Sequence, residues 1–322
     1  MNGRAVAPKT MSTPPLQQAK SPAGATPLPN AHNRRRFNTV MTALVAVLLP
    51  TEFFLGRHLR VLSFGITGGM LFVVLLLLAL AAYCRWRPLP LLIEPAVMAF
   101  WTVLLADALS VLVEIAGRSP RPLIDAQLAA LDGHLHFHTA ALVHLAARVP
   151  SLGTALSGAY ALVGAFILTA AVLLPFFGYA EAARRYVLGV TLAIILGATV
   201  FALWPASGPW TTEGYAPTPF QAGVTGYLAL LKSRVPVALN VREAAIVAFP
   251  SIHVVLALLS AIALSSIRRL RILIWVLAIA MCFSTLTTGW HYLVDVLGGV
   301  VLTLITVPIV GAILPARPRL PS

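Results

Sequence analysis

Charge is scarce in this chain of 322 residues: Asp, Glu, Lys and Arg together make up 10% of it, and only 10 residues are acidic. So little charge excludes an ordinary water-facing surface, since soluble domains draw about a quarter of their residues from those four types. Cysteine is nearly missing as well. The two residues present, Cys84 and Cys282, fall near or inside different apolar runs, which excludes a disulfide framework and leaves them as small buried hydrophobes. Clusters of Cys and His at metal-ligand spacing are also lacking, apart from a His-rich stretch (His134, His136, His138, His144) whose alternate spacing suits a helix poorly as a ligand set. No metal and no cofactor are expected. The shortage of acids leaves a formal charge of +13, but the basic residues are spread over separate connections instead of forming one dense patch, so no nucleic-acid partner is expected.

What the chain has in abundance is apolar sequence, 59% of its residues, in runs close to the length of a bilayer core. Eight spans can be drawn, at 38–56, 61–83, 91–115, 154–177, 186–204, 250–267, 270–288 and 291–314. The fold class expected is therefore all-α, a polytopic membrane helix bundle. Pro50 and Glu52 interrupt the first span, which reads as an uncleaved anchor. Residues 1–37 are basic and rich in Pro, Ala, Ser and Thr, and are expected to form a disordered tail. Most basic residues lie in that tail and in Arg85 and Arg87, Arg184 and Arg185, Arg268 to Arg271, and Arg317 and Arg319. The positive-inside rule then puts both termini in the cytoplasm. Multi-pass insertion is expected, with the connections 118–153 and 205–249 on the outer side: periplasmic in a bacterial inner membrane, the favoured setting, or lumenal in a eukaryote. Glu52, Asp107 and Glu114 are intramembrane acids that should find partners inside the bundle. Gly289, Gly298 and Gly299 read as close-packing positions between helices.

Chemistry concentrates at the mouths of two late spans. Pro250-Ser251-Ile252-His253 opens one, and His291-Tyr292-Leu293-Val294-Asp295 opens another. On a helix His291 and Asp295 are one turn apart on the same face, so the carboxylate can hold one ring nitrogen and leave the other free to attack. His253 is placed to give a proton to a departing oxygen. Ser251 is a helix cap and a donor to a phosphate oxygen, with the positive end of the helix dipole behind it. Together the two motifs read as a phosphoryl-transfer site on the outer face.

Phe249 to His253 and Thr288 to Gly299 resemble the second and third motifs of the type 2 phosphatidic acid phosphatase superfamily, and especially its inositolphosphotransferase branch, which includes inositol phosphorylceramide synthases. Trp204-Pro205-Ala206 with Pro209-Trp210 resembles that branch's proline-rich segment, and Asp125 to Asp132 its acidic outer loop. The resemblance runs from about residue 90 to 312. It implies His291 as the nucleophile that becomes a phosphohistidine, Asp295 as its orienter and His253 as the acid. It also implies a six-span core at 89–316, with 38–88 as two additional N-terminal spans.

The chain departs from the superfamily at its phosphate-clamping cations. The first motif places a Lys seven residues before an Arg-Pro; here Glu114 holds that place before Arg121-Pro122. Ser284 and Thr285 stand where the third motif has Ser-Arg. Lys232 and Arg234 are the expected replacements on charge and location. The function expected is an integral membrane lipid phosphatase or phosphotransferase, with a lipid phosphate as substrate and phosphoinositol-type headgroup transfer within its range. An inactive scaffold and a transporter with a polar outer vestibule stay open as alternatives. Oligomeric state is not readable from the sequence.

Overall fold

The computed structural model describes residues 31–59, 68–87, 89–233, 235, 236 and 246–315. The regular elements among them are all helical. In chain order they are α1 (Ala31–His58), α2 (Gly68–Trp86), α3 (Pro90–Gly117), α4 (Asp125–His134), α5 (Thr139–Arg148) and α6 (Pro150–Leu168). α6 continues through a π-helical turn (Thr169–Leu173) into the short α7 (Leu174–Phe176). Then come α8 (Ala180–Leu203), α9 (Pro219–Lys232), α10 (Ile252–Leu264), α11 (Arg271–Thr287) and α12 (Leu293–Ile313).

Each of the eight apolar runs contains a helix. Among the described residues six stretches are long and apolar enough to cross a membrane: His32–His58, Leu91–Gly117, Pro150–Phe176, Ala180–Leu203, Arg268–Thr287 and Leu293–Ile313. α10 is shorter, at 13 residues, and is the centre of the bundle, packed against α6, α8, α11 and α12. Its buried positions include Val254, Val255, Ala257, Leu259, Ala261 and Ala263, an apolar surface on most sides, as a helix enclosed by others requires. α3 packs against α8, α1 and α2.

α1 begins at Ala31, earlier than the 38 expected from hydropathy. The reason is tertiary: the Asn33 side chain donates to Glu181 and to the Pro315 carbonyl, and Phe37 is fully buried, edge-on to Trp101. These contacts hold a polar first turn that periodicity alone would leave out. The remainder of the expected tail, residues 1–30, lies outside the described residues. Nearby, Arg184 is fully buried, with its guanidinium 2.6 Å from Glu94 and 3.2 Å from Glu181. A buried guanidinium is tolerable only when paired in this way. α1, α3, α8 and the segment after α12 therefore meet at one end of the bundle. The other end of α8, roughly 36 Å away at 1.5 Å per residue, leads to the histidine motifs.

Candidate active site

Ser251 starts α10. Its hydroxyl accepts from Val254 N at 3.4 Å, the expected cap, and its own N–H donates to the Asp295 carbonyl at 3.0 Å. That bond ties the start of α10 to the first turn of α12. The approach depends on Gly299, where a Cβ would stand 2.6 Å from the Ser251 carbonyl oxygen and 2.9 Å from Val254 Cβ. Close packing was the role expected there. It brings His253 and His291 together, with ring centroids 6.0 Å apart. Tyr160 of α6 stacks on His253, centroids 4.5 Å apart and planes 26° from parallel.

His291 lies between α11 and α12 and is 3% exposed. Its Nδ1 is 3.0 Å from the Ala248 carbonyl oxygen and 3.4 Å from Asp295 Oδ2. A carbonyl only accepts, so Nδ1 carries the hydrogen and Nε2 keeps the lone pair. Burial pushes the His291 pKa down to about 4, against a smaller upward pull from the Ala248 carbonyl, and the ring is neutral at pH 7. Asp295 reaches the ring as expected, although His291 precedes α12 instead of lying on it as the spacing implied, and the nearer acceptor is a backbone atom. The Asp295 carboxylate also accepts from Tyr292 N at 2.9 Å, which closes the first turn of α12.

Three more carboxylates hold backbone segments around the histidines. Asp132 of α4 accepts from Leu293 N at 2.7 Å and Val294 N at 2.9 Å, capping α12 from another element. Asp125 accepts from Gly208 N at 2.8 Å and from Ser207 N at 3.0 Å. Glu213 accepts from Ala140 N at 2.7 Å, at the start of α5. Burial raises the pKa of Asp125 and of Asp132, and the N–H donors pull each back down. Tyr292 adds a strut: its hydroxyl lies 2.7 Å from Thr212 Oγ1 and donates to the Gly208 carbonyl at 3.3 Å. Tyr215 and Gln221 donate to the Gly289 carbonyl, at 2.8 and 3.0 Å, fixing the turn that leads into Trp290 and His291.

The two imidazoles line one cavity of about 310 Å³, whose walls come mainly from Leu109, Val113, Ile194, Ile252, Leu256 and Trp290. Its described lining includes no Lys or Arg. Of the expected clamp, Ser251 is buried and engaged in the cap. Lys232 is not at the cavity: its ammonium donates to the carbonyls of Ser119 and Arg121 at 3.1 and 2.9 Å. Those oxygens lie just beyond the C-terminal end of α3, where a cation is favoured, and burial lowers the Lys232 pKa. Arg234 lies outside the described residues. Ser284 and Thr285 donate to carbonyls of their own helix, and Glu114, fully buried, accepts from the Tyr227 hydroxyl. The Ala248 carbonyl, the Tyr292 strut and the Tyr160 stack carry no motif in the sequence. Asp125 and Asp132 were visible there only as an acidic loop.

Residues 126–309 match the family model of the PAP2 superfamily. The match takes in both histidine motifs, and the chain belongs to that superfamily, whose members are phosphatases or phosphotransferases. No curated protein and no solved structure matches the chain.

Proposed function

We propose that this chain is an integral membrane lipid phosphatase or phosphotransferase acting through a phosphohistidine on His291. The observation that carries the reading is the shared cavity, in which two imidazoles meet and one has its Nδ1 committed to the Ala248 carbonyl and Asp295. In the first step the Nε2 lone pair of His291 attacks phosphorus, and the bond from phosphorus to the lipid alcohol oxygen breaks. His253, protonated alongside the negative charge of the bound phosphate, gives its proton to that oxygen. In the second step water or a lipid hydroxyl attacks the phosphohistidine, its proton returns to His253, and the phosphorus–nitrogen bond breaks. The apolar walls of the cavity suit a donor that arrives from the bilayer with its chains attached. The distribution of Arg and Lys supports an orientation with this site on the periplasmic face.

The absence of Lys and Arg from the described lining is the one observation favouring an inactive relative, because phosphoryl transfer ordinarily draws on concentrated positive charge. One experiment decides between the two. Purified protein in detergent is given phosphatidic acid, phosphatidylinositol or a polyprenyl phosphate, and an acid-labile phosphoenzyme and released product are measured. The parent should form the phosphoenzyme with at least one donor, and His291→Ala should form none. Turnover that survives in His291→Ala refutes the covalent mechanism, and no turnover by the parent with any donor leaves the scaffold reading.

A further inference from the structure

Two serines are found in the described lining of the cavity, Ser110 and Ser207. The Ser110 hydroxyl is used up within α3, donating to the Ala106 carbonyl at 2.7 Å. Ser207 differs. It is 3% exposed, and its hydroxyl has no hydrogen-bond partner. Buried hydroxyls are nearly always paired, and an orphan on a residue that lines a functional cavity calls for an explanation.

The backbone around Ser207 is held more tightly than a connection needs. Asp125 takes both N–H groups in succession, Ser207 and Gly208, and the Tyr292 hydroxyl holds the Gly208 carbonyl. Tyr292 is the residue after His291, so the position of Ser207 is fixed relative to the imidazole through one side chain. Gly208 has φ +145°, and a Cβ there would sit 2.3 Å from the Trp210 ring, so the close approach of that ring requires glycine at this point. A serine hydroxyl rotates about a single bond and needs no backbone movement to change its target.

We propose that Ser207 is a substrate-contacting residue whose hydroxyl donates to a non-bridging oxygen of the phosphoryl group held at His291, a neutral donor in a cavity whose described lining has no cation. This rests on the reading of His291 as the nucleophile. The hydrogen bond moves no electrons and breaks no bond; it offsets charge on the oxygen as the phosphorus becomes five-coordinate. The orphan hydroxyl is thus satisfied only when substrate is bound.

The test uses the full chain in detergent with orthovanadate, an oxyanion that takes up five-coordinate geometry, and follows the quenching of tryptophan fluorescence as it binds beside Trp290. Ser207→Ala should weaken vanadate binding about 10-fold or more and lower turnover about 100- to 1000-fold, the range for loss of a single oxyanion donor. Ser207→Cys keeps the shape of the side chain with only a weak donor, and should fall with the alanine variant. Thr199→Ala, exposed on α8, serves as the unaffected control. Equal affinity in Ser207→Ala and the parent, recovery in Ser207→Cys, or no vanadate binding by the parent each overturns the proposal. If the vanadate difference holds while no lipid phosphate yields a phosphoenzyme, the function reading fails and Ser207 remains an oxyanion contact.

Discussion

At the scale of single residues the unexpected finding is the Ala248 carbonyl. In a serine protease triad the carboxylate alone sets the histidine tautomer, and its loss costs about 10⁴ in turnover. Here a backbone oxygen 3.0 Å from Nδ1 does that job next to Asp295 at 3.4 Å, and a point substitution of a side chain leaves a carbonyl in place. Asp295→Asn should therefore reduce the rate of phosphoenzyme formation by roughly 10- to 100-fold, well short of the triad value. Rapid-quench measurement of that step in the two proteins checks it, and a fall of 10⁴ would show that Ala248 does not hold the tautomer. His291 and Asp295 were legible in the sequence because they stand close together in a motif at the mouth of a span, even though His291 falls before α12 and not on it. Ala248 was not, since a backbone oxygen has no sequence signature and its position depends on how the segment before α10 folds over α12.

At the scale of elements, the carboxylates act as clamps on backbone. Asp132 caps α12 across 161 positions of chain, a bond no local reading can find, because α4 gives no sign of which helix start it will meet. The spans themselves were readable, since length and hydropathy are local properties. α1 departed from its drawn boundary for tertiary reasons, since Asn33 and Phe37 extend it, whereas α10 starts after Pro250 because of the local Ser251 cap. Lys232 shows the limit of reasoning from charge alone, since a cation near a site in sequence can be spent on the end of α3. Removing the cap in Asp132→Ala should lower stability by about 1–2 kcal/mol, the range for a lost helix cap, and reduce turnover because the first turn of α12 carries Asp295. Thermal melts in detergent give the first quantity and phosphoenzyme yield the second. A melting temperature equal to the parent's would mean that Leu293 and Val294 find other acceptors.

At the scale of the whole molecule the bundle has two unlike ends. One gathers Asn33, Glu94, Glu181, Arg184 and Pro315 into a knot of ions and hydrogen bonds; the other holds the histidines. The sequence-based orientation assigns the first to the cytoplasm through its arginines. In a background with both native cysteines replaced, a cysteine in place of exposed His134 should react with an impermeant thiol reagent applied to intact cells, and one in place of exposed Arg269 should not. Reaction at Arg269 alone would invert the proposed orientation. The histidine end is assembled from pieces distant in the chain: the clamps Asp125 and Asp132 come early, the 207–208 segment in the middle, and His253, His291 and Asp295 late. During synthesis α12 is inserted last of these, and the proposed nucleophile acquires its orienting partners only then. On the proposed mechanism, a chain released early from the ribosome carries an imidazole at residue 253 with nothing to work beside, and unfinished copies should be inert.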